Sequence, residues 1–520
     1  VTETRIDTAV VIAGAGPTGL MLASELRLAG VDVVLLDRLA QRQTVESRAG
    51  GLHPRSLEVL DQRGVLQPFL AAGRPLGRGH FSALPLDFSG FATRHPYTLV
   101  LLQTKIERLL ERRAAELGAH VRWSSEVVGV DQDESGVTVT VSGPHGVERV
   151  RARYLVGCDG GRSAVRTLAG IDFPGTPATM TALLGDVELA DPPAEPMIMQ
   201  RRGAHGDHTV LSLEAGWHRV IVNQYDQVPD RAAPVTLEQL RAALVATAGT
   251  DFGMHSPRWL SRFNDAARQA TRYRQGRVLL AGDAAHIHLP AGGQGLNTGL
   301  QDAANLGWKL AAVLHGHAPE HLLDSYHAER HPVAARVLNN TRAQSLLSRP
   351  GPHTDALRAV MAELIGFDQV NEYLGSMLTG LDIRYPLAED HPDPHPLLGR
   401  RVPDVDLSTP TGDRRLVSLL SAGRPVLLDL TAGPAQPDLA EAASAWADRV
   451  DLVRAHCRAD HWVVPCVGAV PAPAALLIRP DGYLAWVAPR TAESGAADTE
   501  ALRSALTTWF GPATAGGTTR

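Results

Sequence analysis

Three separated stretches of the chain carry residue types and spacings suited to gripping a phosphorylated cofactor. The first is Val10-Val11-Ile12-Ala13-Gly14-Ala15-Gly16-Pro17-Thr18-Gly19, closed further on by Leu35-Leu36-Asp37-Arg38. Gly14, Gly16 and Gly19 match a dinucleotide turn. The first glycine permits the tight bend, the second lets a pyrophosphate approach the backbone, and the third lets a helix pack on a strand. Pro17 and Thr18 open that helix, and its unpaired N–H groups and dipole favour an anion. Asp37 ends the next strand, where an acid is expected to accept a hydrogen bond from a ribose hydroxyl. The second stretch is Tyr154-Leu155-Val156-Gly157-Cys158-Asp159-Gly160, followed by Ser163 and Arg166. Alone, Asp159-Gly160 is a commonplace turn. In the third, Gly282-Asp283 follows the apolar run Val278-Leu279-Leu280-Ala281 directly, so the acid can reach a polyol hydroxyl.

Beyond Asp283 the chain runs through His286 and His288 into Pro290-Ala291-Gly292-Gly293-Gln294-Gly295-Leu296-Asn297. This glycine-rich segment enters a helix whose positive end would stabilise the negative pyrimidine edge of a reduced flavin. One glycine turn would be weak evidence, whereas three such pieces in this order point to an FAD enzyme. His286 and His288 stand two apart with no acid or cysteine arrangement suited to a metal, so no metal site is expected and a structural or flavin-lining role is preferred. Gln103 opens a helix, and Arg48 sits in the glycine-bearing loop Glu46 to Leu52; both residue types also suit a plain solvated surface. A Gly-x-Ser-x-Gly elbow, a Walker loop and a His-Glu-x-x-His pair are all absent, as are the Trp-x-Trp-x-Ile-Pro element of flavin halogenases and the cysteine pair of disulfide reductases.

The elements that must position these residues follow from apolar periodicity. Ala9–Ala13, a helix from Pro17 to Ala29, and Val31–Leu36 form a βαβ unit, the start of a doubly wound parallel sheet. Gln103 to Leu117 reads as an amphipathic helix. Val127–Val130, Gly136–Val141 and Val147–Ala152 read as a meander or hairpin, and Tyr154–Cys158 as a return to the core sheet. Between about Thr176 and Phe263 the texture changes to antiparallel strands at Val187–Leu189, His208–Leu213 and Trp217–Asn223, with a helix at Leu237–Ala246. A long helix is expected over Leu296–Leu314, further helices to about Leu381, and a linker at Glu389–Pro396. Strands at Pro425–Leu430, Ala474–Ile478 and Tyr483–Val487 with a helix near Thr499–Phe510 then suggest a separate small α/β unit.

Bulk properties agree with this division. A chain of 520 residues exceeds one ordinary core, and 44% hydrophobic with 20% charged residues describes a globular protein. The net charge of −6 argues against a nucleic-acid partner. Only Lys105 and Lys309 are lysines, so arginine supplies almost all positive charge. Among Cys158, Cys457 and Cys466 no Cys-x-x-Cys occurs, which suits a reducing cytoplasm and free thiols. The apolar start lacks a basic leader, and Pro465, Pro471 and Pro473 break the other long apolar run, so neither a signal sequence nor a membrane span is expected.

Taken together the motifs resemble the group A FAD-dependent aromatic monooxygenases, the para-hydroxybenzoate hydroxylase and phenol hydroxylase type, and within them the actinobacterial aromatic polyketide hydroxylases. Gly51-Leu52-His53-Pro54-Arg55-Ser56-Leu57-Glu58-Val59 and Gln301-Asp302-Ala303-Ala304-Asn305-Leu306-Gly307-Trp308-Lys309-Leu310 strengthen the likeness. The resemblance implies a discontinuous FAD-binding domain over 1–175 and 271–388, a substrate-binding β-sheet domain over 176–270, and a thioredoxin-like domain over 397–512. It implies that Gly14, Gly16, Pro17, Thr18, Gly19, Asp37 and Arg38 hold the ADP half of FAD, with Arg48 and Gln103 near the nucleotide and pyrophosphate. It places Asp159-Gly160 toward both FAD and the nicotinamide donor, Gly282-Asp283 on the ribityl chain, and Pro290 through Asn297 along the isoalloxazine. NADPH or NADH is then the transient reductant and O2 the co-substrate. A flavin C4a-hydroperoxide hydroxylates a polycyclic aromatic substrate, with Baeyer–Villiger oxidation, rifamycin-type hydroxylation and a non-catalytic flavin-binding role as alternatives. No catalytic residue is assigned, with Arg48, His286 and Pro290 as the candidates, and a monomer or homodimer is expected.

Overall fold

The computed structural model describes residues 7–45, 49–195, 197–203, 206–213, 216–228, 234–387, 395–431, 437–490 and 499–514. Thr8–Ala13 lies at the centre of a parallel sheet. Val33–Leu36 flanks it on one side and the end of Gly146–Gly157 on the other, with Val121–Arg122 and Val278–Leu280 outside them. Val10, Val11, Ile12, Leu155 and Val156 are fully buried, as a parallel sheet covered on both faces requires. Helices Pro17–Leu28 and Gln294–Leu314 pack against one another beside it.

Gly146–Gly157 differs from the expected pattern of a meander strand followed by a separate core strand. It is one continuous strand in which Ala152 pairs antiparallel with Val137 and parallel with Thr8. No turn-forming residue stands between Ala152 and Tyr154, so Arg153 carries the chain straight from one pairing to the other.

A second sheet is antiparallel throughout, in the order Met197–Gly203, Gly206–Ser212, Trp217–Tyr225, Met180–Leu189 and Met254–Asn264. Its outer strands carry only arginine charges, and one includes Pro257, which erases the alternation that marks a strand in sequence. Pro257 falls in a register shift opposite Val187, where the missing N–H is tolerated. The helix Leu237–Ala248 begins in a Thr236–Gln239 capping box and sets Leu240, Ala243 and Leu244 on Val187, Val210, Val220 and Val222. Alternation then turns Leu184, Asp186, Arg219, Ile221 and Trp259 to the opposite face.

The C-terminal sheet has the order Asp451–Arg454, Val426–Asp429, Ala475–Ile478, Leu484–Ala488. Its first pair is parallel and the other pairings are antiparallel, and the helix Thr499–Phe510 follows. One face encloses a core of its own around Leu428, Trp462 and Leu476. Leu477, Trp486, Leu506 and Trp509 instead join the large core of the nucleotide-type sheet. All three cysteines are free. Among the described residues no helix is long and apolar enough to cross a membrane. Most of the expected linker Glu389–Pro396 lies outside the described residues.

Candidate functional site

The three stretches meet through glycines whose missing side chains make room for backbone. A Cβ on Gly14 would stand 2.3 Å from the Cys158 carbonyl oxygen, so the first stretch rests on the second. A Cβ on Gly19 would stand 1.9 Å from the Gly14 oxygen, the close approach of helix to strand expected of the third glycine. Thr18 joins the first stretch to the third: its Oγ1 lies 2.6 Å from the Cβ position of Gly282 and 2.3 Å from that of Gly299. Arg166 donates to the Ala284 carbonyl at 2.8 Å, tying the second stretch to the third.

Gly16 is different, because a Cβ there would meet no protein atom within 4 Å. It is the N-cap of Pro17–Leu28 and supplies no side-chain cap, which leaves the first-turn N–H groups without a side-chain acceptor from that position. Around the same strip several buried polar atoms have no hydrogen-bond partner: Asp159 Oδ1, His288 Nε2 and Gln294 Oε1. Burial raises the Asp159 carboxyl and lowers the His288 imidazole, each toward its neutral form. A capless helix start at one end and unpartnered polar atoms at the other are what an elongated phosphate-bearing group would satisfy, so the residues fit FAD.

Asp37 accepts from the Ala15 N–H and the Leu39 N–H, both at 2.9 Å, which fixes its carboxylate beside the glycine turn. Arg38 is exposed next to it. Asp283 is the exposed residue in an otherwise buried turn, and its Oδ1 lies 3.9 Å from the Cβ position of Gly295. Its carboxylate therefore stands over the N-terminus of Gln294–Leu314. Gly292 and Gly293 both have left-handed backbone, with φ of +67 and +69. Pro290 and Gly293 are exposed, and Leu296 is half-buried. Asn297 pins the helix start: its Oδ1 accepts from the His53 N–H at 2.8 Å, and its Nδ2 donates to the carbonyls of Gly51 and Gly293. His53 contacts the Gly292 oxygen through Nε2 at 2.7 Å, and burial lowers its pKa to about 4.

His286 has no exposed surface and lies behind the glycine segment. Its Nε2 contacts Asp302 Oδ2 at 2.8 Å, the same oxygen that accepts from the Gly282 N–H at 3.1 Å, and Arg330 donates to Asp302 Oδ1 at 2.7 Å. Burial alone would raise the Asp302 carboxyl, but Arg330 and His286 hold it below its ordinary value. His286 thus braces the turn that carries Asp283. Gln103 accepts from the Ala49 N–H at 3.1 Å and donates its own N–H to the Ala49 carbonyl at 3.0 Å. Arg48 lies outside the described residues. Among the described residues no cluster suits a metal ion.

Sequence reading missed Arg42, which donates to the Ala15 carbonyl at 3.2 Å and pairs with Glu107 and Glu111. Two acids four apart on one helix face were the available signal. It also missed the Asp302–Arg330 node, although Asp302, Asn305 and Lys309 recur at helical spacing inside an apolar run.

With this geometry in view, similarity to known proteins is extensive. The profile described as an FAD binding domain matches residues 7–341, and that described as the C-terminal domain of aromatic-ring hydroxylases matches 395–513. A 12-dehydrotetracycline 5-monooxygenase/anhydrotetracycline 6-monooxygenase of Streptomyces rimosus is 51% identical over 97% of this chain and 99% of its own length. A rifampicin monooxygenase of Streptomyces venezuelae is 46% identical over 98% of this chain and 99% of its own. The solved structure of the anhydrotetracycline hydroxylase OxyS from Streptomyces rimosus superposes with a TM-score of 0.88 at 50% identity, covering 98% of this chain and 100% of that one.

Proposed function

The chain belongs to the FAD-dependent monooxygenases that carry an aromatic-ring hydroxylase C-terminal domain, and on that premise we propose that it hydroxylates a fused polycyclic phenol or quinone of polyketide type. Bound FAD supplies the redox chemistry, accepting electrons from a nicotinamide donor and passing one oxygen atom of O2 to the ring. The protein's contribution is placement. In this reading the N–H groups of Gly16 and Thr18 take the pyrophosphate, Asp37 the ribose and Asp283 the ribityl hydroxyls, while Gly292 to Asn297 border the ring.

The observation that carries the substrate class is the 51% identity, over nearly all of both chains, to a protein named for oxidising 12-dehydrotetracycline and anhydrotetracycline. The five-stranded sheet supports it. On the face turned from its helix, half-buried Trp217, Ile221 and Trp259 flank the buried Asp186–Arg219 ion pair, with Phe263 further along the same face. Flat apolar side chains around a fixed cation suit a planar ring system bearing oxygen substituents. The same strand ends are anchored to the helix Asp324–Ser348 by Ser345 to Asp265 and by Arg349 to Asp226. That helix also reaches the glycine segment, where Gln344 lies 3.7 Å from the Cβ position of Gly292.

Hydroxylation of a rifamycin-like naphthoquinone is the second reading, favoured by the 46% identity to a rifampicin monooxygenase. The C-terminal unit reads as thioredoxin-like in its strand order. Without a Cys-x-x-Cys it serves structure rather than disulfide chemistry. A reducing cytoplasm and a monomer or homodimer complete the assignment.

The test is to incubate purified holoenzyme with NADPH, O2 and either anhydrotetracycline or rifampicin. Substrate-stimulated NADPH oxidation with a product heavier by one oxygen is expected, and NMR of the product separates ring hydroxylation from Baeyer–Villiger insertion. A protein that comes off the column colourless and takes up no added FAD refutes the assignment.

A further inference from the structure

The turn Arg479-Pro480-Asp481-Gly482-Tyr483 of the C-terminal unit inserts a charged side chain into the unit that carries the glycine turns. Arg479 has no exposed surface. It donates to both oxygens of Glu329, at 2.6 and 2.8 Å, and to Asp481 at 2.5 Å. Lys309 donates to the same Glu329 at 2.8 Å, and Asn305 bonds both acids. Two cations and two carboxylates thus balance in a fully buried cluster. Burial alone would raise the Glu329 carboxyl, yet Arg479 and Lys309 hold it at about 2. The Arg479 guanidinium lies 4.5 Å from the Trp509 ring centroid and 5.3 Å from that of Tyr385.

Glu329 is followed on the helix Asp324–Ser348 by Arg330, the side chain that holds Asp302, and Asp302 in turn holds the Gly282 N–H and His286. A second route converges on the same arginine. Tyr483 of the turn stacks on Tyr385 with centroids 4.2 Å apart, and the Tyr385 hydroxyl accepts from Arg330 at 3.3 Å. Fold stability alone would be served as well by apolar packing, because a buried ion cluster gains little over hydrophobic residues of equal volume. What the cluster adds is direction. Two adjacent helix residues are each fixed from the C-terminal side, and one of them ends at the turn bearing Asp283.

We propose that Arg479 is a positioning residue for the flavin site, holding Glu329 and Arg330 so that Asp302 keeps the Gly282–Asp283 turn in the geometry that retains FAD. The inference rests on the reading that this turn meets FAD. No atom of the C-terminal turn touches the cofactor in this account; the coupling runs through Arg330 and Asp302.

The experiment compares FAD dissociation constants, by flavin fluorescence quenching on titration of the apoprotein, with apoprotein melting temperatures for Arg479→Met, Arg479→Lys, Leu428→Ala and Asp283→Ala. Leu428 lies in the core private to the C-terminal unit and controls for loss of stability alone. Arg479→Met should weaken FAD binding at least about fivefold, the lower end of coupling between linked sites. Its visible flavin band should lose the fine structure of a rigidly held ring. Arg479→Lys keeps the buried charge balance, folds, and should restore part of the affinity. Leu428→Ala should melt lower with unchanged affinity. If both Arg479 variants that fold bind FAD as wild type does while Asp283→Ala is weakened, the coupling is overturned. Equal weakening by Leu428→Ala overturns it too, since general stability would then explain the loss. Wild-type affinity in Asp283→Ala as well overturns the cofactor placement, and the inference with it.

Discussion

Replacing Gly16 with valine separates cofactor binding from folding more sharply than any other change in the first turn. At this position the backbone is extended, with φ of −72 and ψ of −176, and a Cβ meets no protein atom within 4 Å. The fold should therefore lose at most about 1 kcal/mol, the cost of exchanging glycine for a poor N-cap residue. The valine side chain occupies the space in front of the helix N-terminus, where the diphosphate would accept N–H bonds. Each charge-assisted bond of this kind is worth roughly 1.5–3 kcal/mol. Losing two weakens binding by about 3–6 kcal/mol, or roughly 10²–10⁴-fold. Gly14→Ala provides the contrast. Its φ is +102 and the new Cβ would stand 2.3 Å from a backbone oxygen, so this variant should fail to fold rather than fold empty. Flavin content after gel filtration and melting curves of the apoproteins report the two effects. A Gly16→Val protein that elutes with full flavin, or one that melts as badly as Gly14→Ala, would refute the placement of the diphosphate.

Asp283→Ala should weaken FAD retention by roughly 1–3 kcal/mol, the value of a lost charged hydrogen bond, while leaving the melting temperature of the apoprotein nearly unchanged because Asp283 is exposed. Asp302→Ala should lower stability as well as FAD retention. It leaves Arg330 buried without its carboxylate and removes the acceptor of the Gly282 N–H, so denaturant titration should show a loss of about 3–5 kcal/mol. His53, with a pKa lowered by burial to about 4, stays neutral in the folded protein where the unfolded chain already protonates it. The unfolded state then binds more protons, so stability falls as pH drops below about 6.5, by about 2 kcal/mol at pH 5, and levels off near the folded value. His53→Gln should flatten that part of the stability–pH curve, and an unchanged slope would show that His53 is not its source.

The parts of the fold legible in sequence were those fixed by local physics. Gly14, Gly16 and Gly19 after a β-branched run placed the βαβ unit, and a strand leading straight into Gly282-Asp283 placed the late turn. Elements set by distant partners were invisible. Met254–Asn264 holds its place through pairing with Met180–Leu189 despite carrying Pro257, and Asp451–Arg454 is a short strand recognised only by its parallel neighbour. The same division runs through the site. Asp37 and Asp283 stand at strand ends, where position predicts reach. Arg42, Arg330 and Arg479 reach Glu111, Asp302 and Glu329 across 28 to 150 residues of sequence, beyond what local spacing can announce.

Thr18 is wedged against two glycines from the far end of the cofactor strip, Gly282 and Gly299. The wall that would cradle adenosine and the wall that would border the ring are thereby packed on one another at a single threonine. Any shift of one wall relative to the other would have to move this side chain out of the space the two glycines leave. A mutational history of the chain should bear the same mark: alanine at Gly299 becomes admissible only in a background where residue 18 has first grown smaller, whereas Gly282 is held to glycine by its backbone as well.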